Sequence, residues 1–211
     1  MTLDSVLAHS DSGIRRIDGA HFERATFETF ALPHTFGDVE ICNVHFDRCM
    51  VSPGTCMLNP GVKMRSVRFT EFSCGDAMHI DAGVEMIDVT IEGARSPSMI
   101  WIRSGNGPVE HAPDWSLDIA GFAGEVWIDG IPTERVTRAA QTQIIIDLER
   151  FDAADWETLG IGGLSYWRMM GKKVRASGSR TGIASLPPVN SRNYERSMDE
   201  LKRLRAEGVL Y

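Results

Sequence analysis

The chain is poor in the residues that usually carry chemistry. Its 211 residues include 4 cysteines, 6 histidines and 3 tyrosines. The cysteines are Cys42, Cys49, Cys56 and Cys74, and no two form a CxxC pair. That spacing argues against a disulfide framework or a zinc site. No run of eighteen apolar residues occurs, so no membrane-spanning helix is expected. The first residues, MTLDSVLAHSDSG, lack the basic start and apolar core of a secretory signal, so the expected compartment is the cytoplasm. GxSxG, HExxH and P-loop motifs are missing too, as is any GxGxxG in a suitable context. No cofactor and no metal is expected.

Basic residues are also scarce where a nucleic-acid binder would need them. Residues 1–150 hold 22 acidic and 12 basic side chains, a net of −10, while residues 151–211 hold 7 and 10, a net of +3. Direct phosphate contact needs clustered Lys and Arg, so the acidic part is not expected to bind nucleic acid.

What the chain does have is repetition. Val39–Gly61, Val62–Gly83 and Val84–Gly105 align with their apolar positions in register, each closing on Gly. A period in the twenties marks a solenoid, whose units bury their apolar faces only by stacking. Within it, apolar pairs two residues apart begin five residues apart: Ala20/Phe22 and Ala25/Phe27, Val44/Phe46 and Cys49/Val51, Val67/Phe69 and Phe72/Cys74. Residues two apart on an extended chain share a side. A five-residue advance then turns one side of a squared coil, so every pair points to one axis. Cys49, Cys56 and Cys74 hold inward positions as small apolar fillers. The surplus residues fall at SPGT, GD and SPS and at the closing PG, AG and SG, as corners require.

These pairs resemble the pentapeptide-repeat proteins, a family of right-handed quadrilateral β-helices. The family favours a small residue at the first inward position and Leu or Phe at the second, as in Ala20/Phe22, Ala25/Phe27, Val44/Phe46 and Val67/Phe69. Val62/Met64, Val84/Met86, Ala94/Ser96 and the corner insertions depart from that pattern. The resemblance covers about residues 15–105, with a weaker continuation to about 148. It implies a mainly β chain: a right-handed parallel β-helix over 15–150, an N-terminal cap over 1–14, and a helical and irregular extension over 151–211. Leu3, Val6 and Leu7 are expected to close the first coil, with Phe22, Phe27, Phe46 and Phe69 as axial rungs.

In the extension, 152–159 reads as a short helix, GIGG at 160–163 as a hinge, and LSYWRMM at 164–170 as strand or helix. Residues 172–185, basic and rich in Gly and Ser, read as mobile. Residues 193–207 form the clearest helix, with Tyr194, Met198, Leu201 and Leu204 on one face, Ser191 as cap and Gly208 as stop.

One outward column breaks the polar rule for solenoid surfaces. Stacking the turns aligns Met57, His79, Trp101 and then Trp127, and an apolar stripe there calls for a cover. The chain's own tail is one cover, through Trp156, Trp167 or the Tyr194/Met198/Leu201 face. A protein partner or a second copy is another, with a dimer formed through the C-terminal helix or the Trp101 stripe. A carbohydrate is the third. Beside the stripe, Asn59, Asp81 and Arg103 form an alternating ladder, and Asp76, Asp81 and Arg103 are the only candidate catalytic grouping. His21 and His45 stack without a third ligand.

These features favour a non-catalytic protein-binding module presenting a rigid β-helix face through Met57, His79, Trp101, Trp127, Asp81 and Arg103. One alternative is an inhibitor or immunity-type protein whose acidic surface occupies a basic cleft, since DNA mimicry is known among pentapeptide-repeat proteins. The other is a β-helix enzyme acting on a polysaccharide or small ligand.

Overall fold

The computed structural model describes residues 2–9, 14–32, 38–52, 55–75, 77–93, 99–104 and 115–211. Asp76, the Ala94/Ser96 pair, the SPS corner and residues 106–114 lie outside the described residues. The chain is mainly β, a parallel β-solenoid of about four turns with a helical C-terminal part.

Alternation of burial along each strand builds the coil. Val39–Asp47, Val62–Thr70 and Glu85–Glu92 each span two sides and stack in parallel register, Val44 on Val67 on Val89. Thr26–Phe27, Met50–Val51 and Ser73–Cys74 form the third side. The fourth runs through Phe30–Leu32, Cys56–Leu58, Met78–Asp81, Met99–Arg103 and Glu125–Asp129. All four cysteines are buried and free. Burial pushes the Cys56 thiol well up, with Cys74 beside it adding to the effect.

The corners explain the five-residue step. Gly19, Asn43, Ser66 and Asp88 take left-handed backbone conformations in one column, and Arg24, Arg48, Glu71 and Gly93 do so in the next. A left-handed L-residue costs about 1–2 kcal/mol. The ladder offsets that cost, because the corner amides donate to the next coil: Gly19 to the Cys42 carbonyl at 3.1 Å and Arg48 to that of Thr70 at 2.8 Å.

Inside, Phe22, Phe46 and Phe69 stack face to face with centroids 5.3 and 5.0 Å apart. Phe27, Phe30 and Phe72 meet that ladder edge-on. Phe22, at its outer end, is only half-buried. Leu3 and Leu7 are buried against the same core, and Val6 packs on it.

Both ends of the stack reverse strand direction. Ala8–His9 pairs antiparallel with Arg15–Arg16. At the far end Thr181–Ser185 inserts antiparallel between Glu125–Asp129 and Gln143–Asp147. The 172–185 segment therefore is not a mobile linker. It finishes a helix and supplies a strand whose Gly182, Ile183 and Ala184 are buried. Gly is required there, because a Cβ on Gly182 would lie 2.7 Å from Val174 Cγ2 and 2.9 Å from the Ile128 carbonyl.

Three helices cover this end: α1 (Leu148–Ala153), α2 (Tyr166–Ala176) and α3 (Tyr194–Ala206). The first begins four residues before the expected start and ends at Ala153, because the Asp147 side chain accepts the Glu149 amide. The LSYWRMM segment resolves as helix, with Ser165 accepting from the Trp167 and Arg168 amides. Asn193, not Ser191, flanks α3, and its side chain makes no capping bond. A polar knot around the buried Glu200 joins α2 to α3. Ser165 Oγ donates to Glu200 Oε2 at 2.7 Å, Arg196 Nε reaches Glu200 Oε1 at 2.9 Å, and Trp167 Nε1 donates to the Ser197 carbonyl at 2.7 Å. Leu201 and Leu204 turn into the second core with Trp127, Phe151, Trp167 and Val174, so the apolar face of α3 is covered within the chain.

Candidate functional site

The outward column is continuous. Register runs Ala31–Met57–His79–Trp101–Trp127 and passes to Ala184 and Ile144 on the antiparallel strands. Cover increases along it. Met57 is 39% exposed, His79 and Trp101 are half-buried, and Trp127 is 8% exposed. The cover over Trp127 comes from the second core and from Lys173 of α2, whose Nζ lies 5.2 Å from the Trp127 ring centroid. Trp167 belongs to the same core, and Trp156, Met198 and Trp101 pack against it, each partly buried. The tail thus covers the Trp127 end and leaves the Met57 end open.

His79 and Trp101 rings are 5.2 Å apart and tilted by 41°. Arg103 lies over Trp101 with its Cζ 5.5 Å from the ring centroid. Asp81 pairs in register with Arg103, but its Oδ1 accepts the Gly83 amide at 2.7 Å and so closes the Ala82–Gly83 turn. Its first structural role is a turn cap, and Asp76 lies outside the described residues.

Sequence reasoning missed one residue of the neighbouring column that runs through Asp81 and Arg103. One step past the Ile102–Ile128 pair stands Asp129, 3% exposed. Its Oδ2 accepts from Trp127 Nε1 at 2.7 Å, while Oδ1 has no partner among the described residues. Burial pushes this carboxyl up, against the Trp127 N–H, the charge of Arg103, the Ser177 hydroxyl and the Ser104 amide, which pull it down. Trp101 Nε1 is likewise buried without a partner among the described residues. Met99, Trp101, Arg103, Trp127, Asp129 and Lys173 line one pocket of about 320 Å³, closed on one side by the C-terminal turn of α2. No family model, curated protein or solved structure matches the chain.

Elsewhere, side chains are used for pairing. His21 and His45 stack at 4.8 Å, and His45 Nε2 meets Thr70 Oγ1 at 3.0 Å. Burial, then the neighbouring His21, lowers the His45 pKa. No group of three metal-ligating side chains occurs among the described residues. Arg16, Glu40, Lys63 and Glu85 alternate charge in one column, and Arg65–Glu85 and Arg68–Glu92 pair across neighbouring coils. No helix among the described residues is long and apolar enough to cross a membrane.

Proposed function

We propose that this chain is a non-catalytic binding module that presents the open end of the Met57–His79–Trp101 column to a protein partner. The observation that carries this reading is the incomplete cover: the tail buries Trp127 and stops beside Trp101, leaving Met57 exposed. A rigid, outward apolar strip next to a helical shoulder suits an apolar side chain from a partner. The acidic-mimic alternative draws less support, because acidic side chains on the first two sides are taken up by arginines and Lys63. Its presence as a pentapeptide-repeat-like solenoid is supported by the left-handed corners five residues apart.

The test is affinity capture with the intact chain as bait, followed by reconstitution with the purified partner. Met57→Asp and Trp101→Asp should each abolish the reconstituted complex while the thermal melt of Met57→Asp stays at that of the wild type. Sedimentation of the chain alone identifies self-association if the partner is a second copy. Retained binding by Met57→Asp would refute the assignment of this face.

A further inference from the structure

The pocket at the covered end of the column narrows the kind of segment that the open strip can meet. Its floor is the outward face of Met99–Arg103 and Glu125–Asp129, and its wall is the last turn of α2. It encloses about 320 Å³, and Trp101 belongs both to it and to the strip that starts at Met57. Rungs of the column are about 4.8 Å apart, so a segment that crosses Met57 and His79 reaches the pocket within about 10 Å.

The accessible lining is apolar in the middle and basic at the rim. Met99 and Trp101 are half-buried and Ala176 is exposed. Arg103 and Lys173 are exposed, and each stands over an indole. Arg103 Cζ lies 5.5 Å from the Trp101 ring centroid, and Lys173 Nζ lies 5.2 Å from that of Trp127. Neither cation closes an ion pair among the described residues. Carboxylates stand near Arg103 but are withheld from solvent. Asp129 is 3% exposed, and Asp81 is half-buried with Oδ1 on the Gly83 amide. The charge of Arg103 acts on Asp129, yet both exposed charges of the lining are positive.

Charge complementarity selects the occupant. The Arg fork meets a carboxylate with paired N–H donors, and Lys meets one as a point charge. An apolar side chain beside those carboxylates covers Met99 and the open part of Trp101, and such anchors carry most of an interface's energy. A single-stranded nucleic acid offers stacking bases and phosphates to the same groups. Residues 1–150, however, carry a net charge of −10, which repels a polyanion. A short acidic peptide places its charge at the basic rim alone.

We propose that the pocket takes an acidic–apolar peptide segment of a protein partner, with an apolar side chain against Trp101 and Met99 and neighbouring carboxylates on Arg103 and Lys173. This rests on the reading that the Met57–His79–Trp101 column faces a protein, and it adds the chemistry of the segment that lies there.

Fluorescence anisotropy of three labelled pentapeptides, titrated with the full-length chain, tests it. The first has a central Phe flanked by two Glu on each side, the second replaces Glu by Lys, and the third replaces Phe by Ser. The Glu/Phe peptide should bind saturably at low salt, at least about ten-fold tighter than either control, since two exposed ion pairs together are worth about that factor. Its affinity should fall as salt rises. Arg103→Gln/Lys173→Gln should lose the same factor, and Arg103→Glu/Lys173→Glu should prefer the Lys/Phe peptide while keeping the wild-type circular dichroism spectrum. The probe has no second apolar side chain to reach Met57, so Met57→Asp should leave its affinity unchanged at moderate salt. Failure of the column reading, seen as a partner complex that survives Met57→Asp, is thus told apart from failure of this one. No saturable binding of the Glu/Phe peptide, equal binding of either control, or an undiminished response in the Gln double variant overturns the proposal. Tighter binding of a labelled hexathymidylate, or a dimer of the chain that the Gln double variant dissociates, overturns it as well.

Discussion

Truncating Phe46 to alanine should be among the most costly single changes in the solenoid. Its ring is fully buried, with Phe22 and Phe69 stacked on its two faces at 5.3 and 5.0 Å. Phe30, Phe27 and Phe72 meet it edge-on at 5.3, 6.0 and 6.1 Å. Removing a buried Phe costs about 3–5 kcal/mol, and a ring touched on every side belongs at the top of that range. Against a typical total stability of about 5–15 kcal/mol, that is a large share. Phe22 ends the same ladder, half-buried and stacked on one face only, so Phe22→Ala should cost roughly half as much. Urea unfolding followed by far-ultraviolet circular dichroism measures both, with slopes compared to confirm that unfolding stays cooperative. The reasoning is refuted if Phe22→Ala costs as much as Phe46→Ala, since stability would then not follow the depth of the stack.

Gly171 faces the Phe151 ring so closely that an added Cβ would overlap it. Gly171→Ala should therefore destabilise the chain by about 1–3 kcal/mol despite its better helix propensity, and a thermal melt decides the sign. Asp129 carries a pH signature: its folded pKa lies above the unfolded value, so its neutral form favours folding and wild-type stability falls as pH rises through the raised value. Asp129→Asn should be more stable than wild type at neutral pH, with the gain vanishing below the ordinary carboxyl range; a gain that persists in acid would exclude the carboxylate as its source.

The solenoid was legible because its signal is periodic. Inward pairs two apart, advanced by five, place Val44, Val67 and Val89 in register, and the same counting aligns Met57, His79, Trp101 and Trp127. The helix over 193–207 was legible from its apolar face and is found as Tyr194–Ala206, but the strand of the tail was not, for the opposite reason. Thr181–Ser185 is a strand only because Trp127 on one side and Ile144 on the other offer hydrogen-bonding edges, and neither is near in sequence. Local composition gave Gly, Ser and Arg, which favour a loop when no edge is present. Asp129 was hidden in the same way. Before a glycine it resembles an ordinary turn residue, and it is the helix more than forty positions later, carrying Lys173 and Ser177, that makes it a pocket wall. Its readable signal was position, two residues after Trp127 and hence on the same outward face.

The reversal of strand direction at both ends has a consequence for how such a chain can change length. A parallel coil can be extended only by another parallel coil, and here each end of the run is met by a strand pointing the other way. Growth and shrinkage are therefore confined to the interior, where a duplicated Val62–Gly83 unit would lengthen the rod by about 4.8 Å and meet the same left-handed corners above and below. Coil number is free to vary while the two terminators stay fixed, and a site built on the far one would travel outward unchanged.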